Sequence, residues 1–280
     1  MSKRIPFVKG HGTENDFLLL LDHDGDRIGD LSAAEVARLT DRYAGLGADG
    51  IIRVVRSVAA PEAAEYADEA EWFMDYRNAD GSIVEMCGNG VRVLARYLWE
   101  ARLVSGPVLP IATRGGIRAV HADSSGSITV EMGRAKRPAS RVEAVVGVGE
   151  RQWPAVAVNV PNPHAVVFVD RLDDAGALLE APVLAPPSLF PDGANVEFVV
   201  PRGPQRIAMR VFERGVGETR SCGTGVCAAA WAAMRRDGVG KGLTYQVDVP
   251  GGELTVTERP DAELLLTGPA VLGVRGKVEL

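Results

Sequence analysis

Apolar positions along this chain fall mostly in short runs and alternations, so they predict many strands and few helices. Residues 6–22, PFVKGHGTENDFLLLLD, read as strand, Gly-rich turn and strand. LSAAEVARLTDRYAG has helical spacing, with Ser32 placed as its N-cap. GADGIIRVVRSV reads as a buried strand, and the polar, Ala/Glu-rich segment AAPEAAEYADEAE after it as an exposed loop insertion. WFMDYRNADGS gives a strand and a turn, and a helix follows over about Gly88 to Leu103. GGIRAVHAD and GSITVEMG are short strands, and the apolar pattern breaks between Gly133 and Pro138. Beyond the break, WPAVAVNVPNPHAVVFVD reads as strand, turn, strand, and GALLEAP as a short helix. GANVEFVV and RIAMRVFERG are strands, and YQVDVPGGELTVTER is a hairpin. Between those last two segments lies a helix whose VCAAAWAAM stretch is apolar nearly all round, the mark of a helix buried by a sheet.

The order of elements repeats. Strands, a small helix, more strands, a helix opened by Cys-Gly-polar-Gly-Val, and a hairpin occur once in each half. The two helix openings are MCGNGVR and SCGTGVC, with Cys87 and Cys222 at equivalent places. This predicts two duplicated domains, residues 1–133 with 268–280 returning to them, and residues 134–267. Strands joined by short turns favour largely antiparallel sheets of α+β type over a doubly wound parallel sheet.

Composition narrows the classes. The 280 residues carry a formal net charge of −6, which argues against general nucleic-acid binding. No stretch reaches the 18 or so apolar residues of a membrane helix, and MSKRIPFVKG lacks the apolar core of a signal peptide. Three cysteines do not make a disulfide framework. The expectation is a reduced, cytoplasmic protein that handles small molecules and binds neither membrane nor nucleic acid.

The chemistry lies in the two Cys-led helix starts. The first N–H groups of a helix lack internal partners, and the macrodipole makes them a site for an anion. Flanking glycines let a ligand approach the backbone closely. A thiol there can have its pKa drawn below the free value of about 8.5, which makes it a tunable acid or base. Two such cradles facing one another would hold an α-amino acid carboxylate with one sulfur on each face of its Cα. That suits removal of the α-proton on one side and its return on the other. Cys227, five residues into the apolar helix, reads as core. Glu213 and Arg214 precede Cys222 and read either as a surface ion pair or as partners for the ammonium and carboxylate of a second amino-acid centre. Asn15, Asn78, Asn162 and Asn195 all sit at strand ends, where turn chemistry or a polar recognition shell would account for them.

Other motifs carry less. GLGADG, Gly45 to Gly50, matches G-x-G-x-x-G, but a strand follows it where the dinucleotide fingerprint needs a helix. His11, His23, His121 and His164 show no metal spacing and no C-x-x-C exists, so neither a metal nor a cofactor is expected.

Taken together, HGTENDF, RNADGSIVEMCGNGVR, NPH, NVEF and ERGVGETRSCGTGVCAA resemble, in content and order, the diaminopimelate epimerase family over essentially the whole chain. The resemblance implies two pseudo-symmetric α/β domains of the α+β type, each a mostly antiparallel sheet wrapped around a central helix. It implies interconversion of LL- and meso-2,6-diaminopimelate without pyridoxal phosphate, for lysine and peptidoglycan synthesis, by a homodimer. It implies Cys87 and Cys222 as the acid/base thiols. Gly88, Asn89, Gly223, Thr224 and Asn15 would hold the reacting carboxylate end. Asn78, Asn162, Asn195, Glu213 and Arg214 would hold the distal centre, with His164 a nearby helper. Two departures stand out: Gly50 replaces a frequent Gln, and the segment after Ser57 is longer than the family core needs. Alternative readings are a racemase of another amino acid, such as histidine, on the same scaffold, a non-catalytic amino-acid binding protein, or a thiol redox sensor.

Overall fold

A computed structural model describes residues 4–140, 142–239 and 241–280. In chain order the elements are β1 (Arg4–Gly12), β2 (Asn15–Leu21), α1 (Ala33–Thr40), β3 (Gly50–Arg56), β4 (Trp72–Asn78), α2 (Gly88–Glu100), β5 (Val108–Ala112), β6 (Arg118–Ala122) and β7 (Ile128–Arg134). They continue with β8 (Ala144–Val148), β9 (Arg151–Val160), β10 (Asn162–Phe168), β11 (Val183–Ala185), β12 (Asn195–Gly203), β13 (Arg206–Glu213) and β14 (Gly217–Thr219). The chain closes with α3 (Gly223–Arg236), β15 (Thr244–Val249), β16 (Gly252–Glu258), β17 (Glu263–Gly268) and β18 (Val271–Glu279). Two compact units result, Met1–Val130 with Gly268–Leu280, and Glu131–Thr267.

In the first unit the strands pair in the order β18-β1-β2-β3-β4-β5-β6-β7, antiparallel except at β2/β3 and β4/β5. The second unit repeats this pattern as β8-β9-β10-β12-β13-β15-β16-β17, with parallel pairs at β10/β12 and β13/β15. The fold is thus α+β, mostly sheet, with duplicated sheet topology. Short β11 extends the second sheet beyond β8, and β14 folds back on β13.

Each sheet encloses one helix. α2 packs against β1, β2, β3, β4, β6 and β18, and α3 against β9, β10, β12, β13, β15 and β16. Every residue of α3 from Gly223 to Met234 is buried, which explains why its sequence lacks a polar face. The outer face of the first sheet is covered by α1, whose Val36 and Leu39 join Ile5, Leu18, Leu20 and Ile51. Ser32 caps α1, as its sequence predicts, and forms a full capping box with Glu35. Strand β2 therefore lies between two layers, and its Leu18, Leu19 and Leu20 are all buried.

Several expectations change. The β1–β2 turn is not made by glycine: Thr13 and Glu14 take φ of 50° and 61°, while Gly10 and Gly12 lie within β1. A Cβ at Gly12 would sit 2.9 Å from Arg92 Nη2, so this glycine admits the helix rather than the turn. The Ala/Glu-rich segment is not an exposed loop. It forms 3-10 turns over Ser57–Ala59 and Pro61–Tyr66, and Ala60, Ala63 and Ala70 pack with Val55, Phe73 and Ala112. Small alanines let the segment fold onto the sheet while its glutamates stay outside. GALLEAP is not helical either. The turn precedes it at Leu172–Ala175 and ends at Gly176, whose φ of 67° stops it. α1 and α2 end at Thr40 and Glu100, a few residues before their apolar patterns do.

Candidate functional site

Cys87 and Cys222 are the N-caps of α2 and α3, each with extended backbone angles. A cap usually carries an oxygen acceptor. Here the sulfur fills that place, accepting from Gly90 N at 3.5 Å and from Gly225 N at 3.4 Å. The thiols are thus fixed against the positive ends of two buried helices. None of the three cysteines is in a disulfide, and Cys227 lies within buried α3 as expected.

Around Cys87, the structure gathers Asn15 and Asn89. Cys87 Sγ lies 3.8 Å from Asn15 Oδ1, and Asn89 Nδ2 donates to the same oxygen at 3.1 Å. Asn15 Nδ2 donates to the Asp49 carboxylate at 2.8 Å, which fixes the amide so that its oxygen faces the thiol. Fully buried Arg92 donates to Asn89 Oδ1 at 2.8 Å and to Gly88 O at 3.3 Å. Asn78 sits apart from the thiol in hydrogen bonding: its Oδ1 accepts from Tyr76 and its Nδ2 donates to Ser82.

Around Cys222 lie Thr224 and Asn195. Thr224 Oγ1 is 3.4 Å from Cys222 Sγ, and Asn195 Nδ2 donates to that sulfur at 3.8 Å. Arg214 N donates to Asn195 Oδ1 at 2.9 Å, fixing this amide in turn. The Glu213 carboxylate accepts from the Thr219 hydroxyl, and Arg214 Nη1 donates to Asp192 O at 2.9 Å. His164 and Glu197, both wholly buried, meet at 2.7 Å through Nδ1 and Oε1, and His164 Nε2 lies 3.0 Å from Asn162 Oδ1.

The two thiols differ in burial. Burial pushes the Cys222 thiol well above its ordinary value, and the Glu213 and Glu197 carboxylates add to this. The Thr224 hydroxyl and the Gly225 N–H pull the other way without prevailing. At Cys222 the helix start does not draw the thiol down: loss of water outweighs the hydrogen bonds made there. Cys87 is only half-buried. Since the thiolate is the nucleophile, a raised pKa means little reactive Cys222 at neutral pH. We therefore expect iodoacetamide at pH 7.5 to alkylate Cys87 at least about tenfold faster than Cys222, read by peptide mass spectrometry. Equal rates would contradict this asymmetry.

Gly50 has no room for a side chain. A Cβ there would fall 2.6 Å from Arg77 O and 2.7 Å from Tyr76 Cε2. The Tyr76 ring occupies that space, and its hydroxyl donates to Asn78 Oδ1 at 2.8 Å. Gly50→Gln is expected to destabilise the protein by about 1–3 kcal/mol through overpacking, visible as a lower urea midpoint. An unchanged midpoint would mean that Tyr76 moves aside freely.

Asp49, Arg92, Thr219 and Glu197 escaped the sequence reading. The available signals were a lone Glu in the apolar strand NVEFVV and, in VRVLARYL, Arg92 set between two valines of an otherwise apolar helix start. Among the described residues no His, Cys, Asp and Glu cluster could hold a metal ion, and no helix is long and apolar enough to cross a membrane.

The fold defines the class. A PhzF-family phenazine biosynthesis protein of Bacillus anthracis superposes with a TM-score of 0.69 at 18% identity, over 99% of this chain and 100% of that one. A hydroxyproline epimerase from Agrobacterium vitis, with bound trans-4-hydroxy-L-proline, superposes with a TM-score of 0.70 at 15% identity, over 99% and 93%. These likenesses establish a shared fold. Sequence is more specific: the diaminopimelate epimerase family profile matches residues 7–138 and 156–273. The diaminopimelate epimerase of Streptomyces coelicolor is 59% identical over 284 aligned residues, covering 100% of this chain and 97% of that protein. That of Thermobifida fusca is 48% identical, covering 98% of each. The chain belongs to the diaminopimelate epimerase family, a family of isomerases.

Proposed function

We propose that this protein interconverts LL- and meso-2,6-diaminopimelate by two-base proton transfer, with Cys87 and Cys222 acting on opposite faces of one α-carbon. The observation that carries this reading is the repetition of one unusual device. In each duplicated unit a cysteine caps a buried helix through its sulfur, followed by a Gly-polar-Gly turn. Backbone N–H groups of Gly88, Asn89, Gly223 and Thr224 would receive the reacting carboxylate, and their dipoles would stabilise the charge that spreads onto it as the α-proton leaves. Asn15, held by Asp49, belongs with that end. Asn78, Asn162, Asn195, Glu213 and Arg214 would bind the distal L centre, with His164 supporting them. A second zwitterionic end explains the presence of both a carboxylate and a guanidinium in that group.

The thiols start in different states in this reading. Cys222, buried and beside carboxylates, is the protonated partner, and the half-buried Cys87 is the thiol that supplies the base. The reverse reaction exchanges these roles. No organic cofactor enters the scheme. The proposal extends to a cytoplasmic homodimer, for which light scattering is expected to give twice the mass of the chain.

The test compares substrates. Purified protein without added cofactor is expected to convert LL-diaminopimelate to the meso isomer, measured by chiral chromatography. It should turn over single-centre amino acids, histidine included, at least about 100-fold less efficiently, since the distal contacts position the reacting carbon. Comparable turnover of histidine would favour the racemase reading, and binding without α-proton exchange the non-catalytic one.

A further inference from the structure

Asn15 and Asn162 open equivalent strands in the two sheets, β2 and β10, yet their amides are held in opposite senses. Asp49 takes the nitrogen of Asn15, leaving the oxygen for Cys87 and Asn89. Asn162 instead turns its oxygen to His164 Nε2. The cause lies one residue deeper, at Glu197. Its Oε1 touches His164 Nδ1, whereas Oε2 is buried and has no hydrogen-bond partner among the described residues. Glu197 also lies close under the start of α3, for a Cβ on Gly225 would come within 2.7 Å of Oε1.

Proton counting follows from burial. A wholly buried pair bearing net charge, with one carboxylate oxygen unpaired, costs more than a neutral pair. Burial accordingly pushes the Glu197 carboxyl up, against the opposing pull of His164. The neutral pair holds one proton between Glu197 Oε1 and His164 Nδ1, on either atom, and one on His164 Nε2. Nε2 is then a donor, and Asn162 must present its oxygen to it. The Asn162 Nδ2 group, on a half-buried residue, then keeps two donor hydrogens for a ligand.

We propose that Glu197 is a positioning residue: acting through His164, it locks the Asn162 amide so that its N–H groups, not its oxygen, meet a carboxylate of the substrate. The role rests on Asn162 binding substrate, as proposed above. Without Glu197, the imidazole can present either nitrogen state to Asn162, the amide turns over freely, and an oxygen faces the carboxylate for part of the time.

The experiment uses the whole protein. Glu197→Met, similar in shape but unable to hold the Nδ1 proton, is expected to raise KM for diaminopimelate about tenfold and change kcat less than about threefold. Glu197→Gln keeps a donor for Nδ1 and is expected to bring KM back to within about threefold of the native enzyme. An unchanged KM in Glu197→Met, or equal impairment in the Met and Gln variants, would overturn the role. Asn162→Asp separates the two layers of the argument. It replaces those N–H groups by an oxygen and is expected to raise KM at least tenfold or so. If it does not, substrate binding by Asn162 fails; if it does and Glu197→Met has no effect, only the relay fails. Should Glu197→Met not fold, nitrogen-15 NMR of the native protein decides alone. With four histidines to assign, the His164 Nε2 signal at pH 8 is expected to be that of a protonated nitrogen, and a bare Nε2 would refute the relay.

Discussion

Cys87→Ala and Cys222→Ala each reduce net epimerisation by about 1000-fold or more, the upper range for removing a positioned acid or base. Each thiol caps its helix start through the sulfur, and alanine leaves no thiol to carry the proton on that face. The two losses should differ in kind. With one thiol gone, the other still removes the α-proton from whichever isomer presents it, and returns it to the same face. Each variant is therefore expected to exchange the α-hydrogen of one stereoisomer only, and the two variants are expected to prefer opposite isomers. Chiral chromatography with mass detection in heavy water measures conversion and exchange together. Retention of more than about a tenth of native conversion by either variant would exclude the two-base scheme.

Gly225→Ala is expected to cost about 1–3 kcal/mol in unfolding free energy. The sign is what matters, because Gly to Ala inside a helix ordinarily stabilises by up to about 1 kcal/mol. Here the new methyl would stand 2.7 Å from Glu197 Oε1 and 3.4 Å from Cys222 Sγ. The carboxyl cannot retreat easily, for it is buried and bound to His164. Either the helix start lifts, carrying Cys222 with it, or Glu197 leaves His164. Activity should fall along with stability, whereas a surface Gly→Ala change would leave it intact. Urea unfolding and steady-state kinetics on the same preparation check both, and a stabilised, fully active variant would show that the helix start has slack.

Much of this was readable in the chain. The strands of both halves, the Ser32 cap, the buried α3 and the duplicated Cys-led helix starts follow from local pattern, because alternation and capping are properties of neighbouring residues. What stayed hidden depended on distant partners. Glycines that looked like a turn in GHGTEND are spacers, since Arg92 and β18 press on that part of β1. The alanines of the inserted segment looked exposed because their sequence is polar overall, and only the sheet beneath them makes Ala63 core. The upward push on the Cys222 thiol was hidden for the same reason: Glu213 and Glu197 come from other strands, and burial is not a local property. Glu197 itself is one polar letter in an apolar run, and only the fold pairs it with His164.

The central claim is that two different thiols handle the leaving and the arriving proton. The most direct test starts from pure LL-diaminopimelate in heavy water and stops after a small fraction of conversion. Two bases predict that the meso product carries one deuterium at the inverted centre while recovered LL substrate retains its protium. Product that retains protium, or product and substrate that gain deuterium equally, would mean that a single group moves the proton on both faces, and would contradict the account.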